Sequence, residues 1–169
     1  RLFDTTSERI ECPDGDFFDV EYTKGFDLAK KVVFITHGLE SSTRGSIVTD
    51  VCNSYLEKGF SCCLISFRSC STTKIPNRYP GAYHLGFTDD LHHLIKLNVK
   101  RYPDKEIYLS GFSLGGNVIL KLLGELGEHA VNLNIRGCAV ACVPFKHVKS
   151  KKKLDLGFNR AVYSENFLR

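Results

Sequence analysis

Four short apolar runs constrain the fold of this 169-residue chain more than any other feature. Their β-branched and aromatic residues are typical of strands buried on both faces of a parallel sheet, and they read KVVFITHG, SCCLISF, EIYLSG and RGCAVACVPF. Segments with helical spacing of apolar residues separate them. Before them, SERIECPDGDFFDVEY holds two strand-like runs around a Pro-Asp-Gly turn. This order predicts an α/β fold with a mostly parallel sheet and an N-terminal antiparallel hairpin.

The chain has the size of one domain with a single core, since 43% of its residues are hydrophobic. We expect a hairpin over 8–23, strand–helix units over 31–143 and a basic segment over 145–169. A stretch of about twenty residues after the second apolar run lacks periodicity and is interpreted as a surface loop near a site. It should end at Thr88, a helix N-cap followed by Asp89 and Asp90.

The third apolar run leads directly into GFSLGG, a G-x-S-x-G pattern between a predicted strand and a predicted helix. In this position the pattern predicts a nucleophile elbow, in which Ser113 is exposed on a sharp turn and Gly111 and Gly115 leave room on either side. The N–H of Leu114 would donate to a developing oxyanion. A glycine-rich turn that merely contains serine is the alternative.

A second oxyanion donor should come from the loop after the first apolar run, which reads THGLESS. Gly38 would allow a close backbone approach, and we assign the donor to the N–H of Leu39, with Glu40 as second choice. His37 is expected to shape this loop rather than exchange protons.

HGLESS, FRSCS, YHLGFTDD and GFSLGGN follow one another in the order seen in a known family. With them, the chain resembles the AB-hydrolase-4 branch of the α/β-hydrolase superfamily, which contains YheT-like and embryogenesis-associated-protein-like esterases. The resemblance covers the N-terminal and central part of that fold. It implies an α/β-hydrolase fold, Ser113 as nucleophile, hydrolysis of acylglycerols or other lipid esters, and no metal or organic cofactor. The chain departs from the family where Ser41 or Ser42, and Ser69, replace glycine.

A catalytic serine needs a histidine base and an acid that orients it, and in α/β hydrolases the acid and then the histidine follow the serine. After Ser113 the histidines are His129 and His147, and Asp155 follows both. The resemblance also implies a sheet of about eight strands, whereas six are found. We therefore expect a partial domain, ending after the sixth strand, in which the triad Asp and His are not in this chain and which alone is inactive.

Three other interpretations remain open. The chain could be an inactive binding module that holds a lipid or a partner in the same pocket, or an acyltransferase on the same triad, or it could use a local histidine. His84 lies in the long loop and would either approach a ligand or bond to backbone. His92 and His93 are expected to be solvated or half-buried on a helix.

Charge and composition limit the partners. The net charge is +4, and a run near the end contributes much of it, which is a weak pattern for nucleic acid, so no nucleic-acid partner is expected. The resemblance implies a small-molecule or lipid ester as the partner. The run could meet an anionic membrane as a peripheral contact, or be a solvated segment, and it contains Lys146, Lys149, Lys151, Lys152 and Lys153.

Location is only partly constrained. The sequence has no apolar run of membrane-span length and no leader pattern, so this part is expected to be soluble and suited to the cytoplasm. Targeting is left open, because the chain starts at Arg1 and has no methionine. The seven cysteines form no C-x-x-C pattern and predict free thiols, with Cys62, Cys63, Cys138 and Cys142 as small hydrophobic residues.

Overall fold

A computed structural model describes residues 3–73, 75–80 and 83–156 of the chain. Its six strands are β1 (Thr5–Glu11), β2 (Phe17–Thr23), β3 (Lys31–Thr36), β4 (Ser61–Ile65), β5 (Glu106–Phe112) and β6 (Ile135–Ala141). Its α-helices are α1 (Ser46–Glu57), α2 (Asp89–Arg101), α3 (Leu114–Leu126) and α4 (His147–Leu154), and a 3-10 helix spans Gly127–Leu133.

All six strands form one sheet in the order β1-β2-β4-β3-β5-β6. The strands β1 and β2 pair antiparallel, as expected for the hairpin, and β2 also pairs antiparallel with β4. Among themselves, the strands β4, β3, β5 and β6 pair in parallel. The predicted α/β architecture is confirmed: a mostly parallel sheet with an antiparallel N-terminal hairpin.

Alternate residues of the central strands face two separate cores. Val32 and Phe34 of β3 join the larger core, which includes residues of α2 and α3. Val33 and Ile35 point to the other face and pack with residues of α1. The continuous apolar runs of the sequence reflect this double burial, because a strand with helices on both faces has no solvated side.

The start of α2 differs in two details from the expectation. Thr88 occupies the N-cap position, but its hydroxyl makes no cap hydrogen bond and instead donates to Glu125 Oε2 at 2.7 Å. Asp90 is 4% exposed and pairs with Arg68, whereas a purely helix-dipole role would leave it at the surface. Long-range partners therefore replace the local ones that the sequence suggested.

Only two of the four cysteines in the apolar runs lie in the core. Cys62 and Cys63 are fully buried in β4, but Cys138 and Cys142 are exposed. The reason is position in the sheet: β6 pairs only with β5 among the described strands, so it lies at an edge where fewer side chains cover it.

Two elements were not predicted. The 3-10 helix connects α3 to β6, and α4 forms the first part of the basic segment over 145–169. Residues 157–169 of that segment lie outside the described residues. Within the described part of the chain, no helix combines the length and apolar character needed to cross a bilayer.

Candidate active site

Ser113 lies on a sharp turn between β5 and α3, as the G-x-S-x-G pattern predicted. Its φ is +53° and its ψ is −118°, a conformation that side chains rarely adopt and that costs on the order of 1–3 kcal/mol. Two backbone hydrogen bonds hold it there. Ser113 N–H donates to Ala141 O at 2.9 Å, and Asn117 N–H donates to Ser113 O at 3.1 Å. The turn is thus fixed by β6 on one side and by α3 on the other.

The two flanking glycines are required by space. A Cβ on Gly111 would lie 2.7 Å from Thr36 Oγ1 and 2.8 Å from Gly116 N, and a Cβ on Gly115 would lie 2.6 Å from Thr36 Oγ1. Real Cβ atoms essentially never approach so closely. Any side chain at either position would push α3 away from the end of β3.

The Ser113 hydroxyl and a nearby backbone N–H are both available for hydrogen bonding. Ser113 is half-buried, and its hydroxyl has no hydrogen-bond partner among the described residues. The N–H of Leu114, at the first position of α3, likewise has no backbone partner in the described part. This N–H lies at the positive end of the helix dipole, where an anion is stabilised.

The loop after β3 approaches the same serine. A Cβ on Gly38 would lie only 3.4 Å from Ser113 Cβ. The next two residues differ in their N–H groups: Glu40 N–H donates to Tyr83 Oη at 2.7 Å, whereas Leu39 N–H has no partner within the described ranges. Of the two donors weighed from the sequence, Leu39 is the one left available.

His37 anchors the loop after β3 through hydrogen bonds of both ring nitrogens. It is completely buried, its Nε2 accepts the N–H of Phe67 at 3.1 Å, and its Nδ1 lies 2.7 Å from Gly38 O. The proton must therefore be on Nδ1, because Nε2 accepts. Burial lowers the pKa of His37 to about 4. A neutral histidine with both nitrogens engaged fits the structural role expected for it and not that of a general base.

Tyr83 supports the loop from outside and was not identified from the sequence. Its ring stacks on Phe67 with a centroid distance of 5.1 Å and an interplanar angle of 6°. Phe67 in turn meets the edge of His37 at 4.7 Å. This aromatic bracket fixes Glu40, whose φ is +51°. Tyr83 lies in an aperiodic loop, where no local pattern indicates a long-range partner.

The same long loop is attached at its other end to the N-terminal hairpin. Arg68 is bonded to Asp90 through Nη2 and to Asp14 through Nη1, each at 2.6 Å. The Arg68 guanidinium lowers the pKa of Asp14. Asn77 Nδ2 donates to Asp16 Oδ1 at 2.9 Å. The long loop therefore connects the hairpin to the loop after β3, and only the tertiary structure reveals this role.

No described histidine hydrogen-bonds Ser113. His84 Nδ1 accepts the N–H of Gly86 at 3.2 Å, which is the backbone-bonded alternative. His92 is half-buried as expected, and burial together with Lys96 lowers its pKa. His93 Nε2 lies 3.1 Å from Glu11 O. His129 is exposed and follows the end of the 13-residue α3, about 20 Å from its start.

An apolar cleft of about 390 Å³ opens on the α1 face of the sheet. It lies between α1 and the carboxyl ends of β3, β5 and β6, and its walls include Ile47, Val51, Phe112 and Val140. Ser113 is not part of its lining.

Several known proteins are similar to this chain in sequence or in fold. No family model matches the chain. The chain is 28% identical to YheT of Escherichia coli over 95% of its own length and 46% of YheT. It is 29% identical to the embryogenesis-associated protein EMB8 of Picea glauca over 82% of the chain and 29% of EMB8. With monoacylglycerol lipase of Saccharomyces cerevisiae it shares 33% identity over 59% of the chain and 22% of the lipase.

The chain thus spans less than half of each of these curated relatives. Among solved structures, the esterase Pf2001 of Pyrococcus furiosus superposes with a TM-score of 0.76, covering 92% of this chain and 58% of the esterase at 20% identity. Sheet order, elbow and superposition define an α/β-hydrolase fold. In sequence the chain is similar to esterases of the AB-hydrolase-4-like branch of the α/β-hydrolase superfamily, and it covers part of that fold.

Proposed function

We propose that this chain carries the nucleophile half of a serine ester hydrolase. The observation that carries the proposal is the strained Ser113 turn with Gly38 beside it. Near the carboxyl ends of β3 and β5, one hydroxyl and two N–H groups therefore lie without hydrogen-bond partners among the described residues. Ser113 Oγ would attack the ester carbonyl. The N–H groups of Leu39 and Leu114 would stabilise the resulting oxyanion.

The reaction needs a base that this chain does not bring to Ser113 within its described residues. We propose that a histidine and an acid outside these 169 residues complete the triad. The histidine would take the proton of Ser113 and return it to the leaving alcohol. It would then take a proton from water, whose oxygen attacks the acyl carbon. As the bond between that carbon and Ser113 Oγ breaks, the histidine would return the proton to Ser113 Oγ, which releases the carboxylic acid and restores the serine.

The proposed substrates are acylglycerols or other lipid esters. One observation supports this class: the chain is similar in sequence to a protein named monoacylglycerol lipase.

The test uses the full-length protein with an activity-based fluorophosphonate probe and short-chain p-nitrophenyl esters. We expect the probe to form an adduct at Ser113, located by peptide mass spectrometry, and Ser113→Ala to lose both labelling and turnover. Ser54→Ala, an exposed serine on α1, is the matched control and should keep both. Turnover that survives in Ser113→Ala would contradict the proposal, and a full-length protein that forms no adduct would favour a binding module.

A further inference from the structure

The segment 145–156 exposes an unusual amount of apolar surface. Among the described large hydrophobic residues, three of the four most exposed lie in it: Phe145 at 74%, Val148 at 71% and Leu156 at 67%. A cluster of exposed apolar side chains in so short a segment marks a candidate interaction surface.

Lysines accompany these side chains. The segment contains five lysines and one acidic residue, Asp155, and Lys146, Lys149 and Lys152 are exposed. Within α4, Lys152 is four residues after Val148 and three after Lys149, so these three residues share one side of the helix. We call Phe145, Lys146, Val148, Lys149, Lys152 and Leu156 the α4 surface.

The α4 surface begins near the candidate nucleophile. Ala141, the last residue of β6, accepts the N–H of Ser113, and Val143 packs beside Gly116 in the first turn of α3. Because α4 starts four residues after Val143, its beginning lies near the carboxyl ends of the parallel strands, where Ser113 also lies.

We propose that the α4 surface binds anionic phospholipid bilayers peripherally. The lysine ammonium groups suit the negative surface of such a bilayer, and long lysine stems allow the charge to stay at the headgroups while Phe145 and Val148 enter the acyl boundary. A nucleic acid would use the lysines but leave the exposed apolar side chains without a partner, so the combination favours lipid. The eight-residue α4 is too short to cross a bilayer, so the proposed contact of this segment is a surface contact.

Vesicle cosedimentation of the full-length protein tests this inference and needs no catalytic turnover, so its outcome is independent of the proposed esterase activity. Vesicles of phosphatidylcholine mixed with phosphatidylserine should bind the chain, and pure phosphatidylcholine should bind it much more weakly. Removing two lysine contacts by Lys149→Glu with Lys152→Glu should lower the partition coefficient at least about thirtyfold. Lys96→Glu with Lys100→Glu, exposed lysines of α2, is the control of equal charge change and should have a small effect.

A second variant separates the apolar contribution from charge. Phe145→Ser removes an exposed ring that is not part of either core, so folding should be retained, as circular dichroism can verify. It should weaken binding to mixed vesicles without changing the response to salt. The inference is overturned if the chain does not bind mixed vesicles, if the α2 control lowers binding as much as the α4 variant, or if duplex DNA binds as tightly as the vesicles and Phe145→Ser has no effect.

Discussion

Tyr83 and His37 show how single side chains shape the loop that would hold the oxyanion. The Tyr83 hydroxyl accepts a hydrogen bond from the N–H of Glu40, and His37 Nδ1–H donates one to the carbonyl oxygen of Gly38. Between these two anchors the peptide of Leu39 has little freedom, which is the condition for a preorganised hydrogen-bond donor.

Removing the Tyr83 hydroxyl should therefore weaken catalysis more than binding. For Tyr83→Phe in the full-length protein we expect kcat to fall by about fivefold, equal to the net worth of one hydrogen bond of about 1 kcal/mol, with KM nearly unchanged. Tyr79→Phe, an exposed tyrosine of the same loop, is the control. Steady-state kinetics on a soluble ester measure both, and an unchanged kcat in Tyr83→Phe would show that the hydroxyl does not position the loop.

Two glycines of α3 make a matched pair for testing the close contact at the elbow. A Cβ on Gly115 would collide with Thr36, whereas a Cβ on Gly124 would meet no atom within 4 Å. Gly115→Ala should lower the free energy of unfolding by at least about 1–3 kcal/mol through overpacking. Gly124→Ala should raise it by about 0.5–1 kcal/mol because alanine favours the helix. Urea denaturation of both variants measures the difference, and equal stabilities would mean that α3 can move freely.

At this scale the sequence revealed the residues whose roles are local. The elbow could be predicted because Gly111, Ser113 and Gly115 are neighbours in the chain and their spacing has one common structural use. Tyr83 could not, because its contact with Glu40 joins residues 43 positions apart. The protonated nitrogen of His37 was equally hidden, since it depends on the backbone of Phe67.

Among the elements, the hairpin and α2 are tied together through one arginine. Arg68 bonds to Asp14 in the hairpin turn and to Asp90 in the first turn of α2. Its own side chain is 12% exposed and that of Asp90 is 5% exposed. The pair is therefore shielded from solvent, where ion pairs are screened least.

Loss of Arg68 should be costly because Asp90 would stay buried without its counter-ion. For Arg68→Met we expect the free energy of unfolding to fall by about 3–5 kcal/mol. Arg78→Met is the comparison, because Arg78 forms an ion pair with Glu11 in which both side chains are about half exposed, and its loss should be clearly smaller. Chemical denaturation measures both variants. If Arg68→Met were no more destabilising than Arg78→Met, the hairpin would not depend on this contact.

Element types followed from periodicity, but element partners did not. Both the continuous runs of β3 and β4 and the helical spacing in α1 were visible in the sequence. The burial of Asp90 was not visible in the sequence, because a carboxylate at a helix start is as well explained by the helix dipole as by a distant arginine. The α4 helix was missed since its lysines give no apolar stripe.

For the whole molecule, titratable groups with lowered pKa values predict two separate pH windows of instability. The folded pKa of His37, about 4, lies below its unfolded value of 6.5, so the unfolded chain binds the extra proton between these values. The contribution of His37 to the free energy of unfolding is fully present above pH 6.5 and falls by about 3 kcal/mol as the pH drops towards 4. Urea denaturation between pH 7 and 4 measures this, and in His37→Gln the decline should be smaller, with the remainder including His92, whose pKa is also lowered.

The second window lies at lower pH. The pKa of Asp14 is lowered by Arg68; burial raises the pKa values of Asp16 and Asp19, but hydrogen bonds from Asn77 and Arg9 outweigh it. These carboxylates contribute stability above their unfolded value of 3.8, and that contribution is lost as the pH falls further. An identical decline of wild type and His37→Gln from pH 7 to 4 would exclude His37 as the origin of the first window.

The strand order of the sheet was the global property that the sequence alone did not provide. The alternation of strands and helices limits the sheet to parallel crossovers, but it does not say that β4 lies between β2 and β3. That arrangement places the ends of β3 and β5 side by side, so that Thr36 pairs with Gly111. The loop after β3 and the elbow after β5 consequently meet, although 75 residues separate Thr36 from Gly111 along the chain.

The backbone conformation of residue 113 sets two selection pressures against each other. Glycine adopts a φ of +53° with little strain, so a library randomised at this codon and screened only for survival of heating should become enriched in glycine. A screen for ester turnover on the same library should return serine. Thermal screening alone should therefore discard the serine side chain that the reaction would require. The two screens should select different residues at position 113.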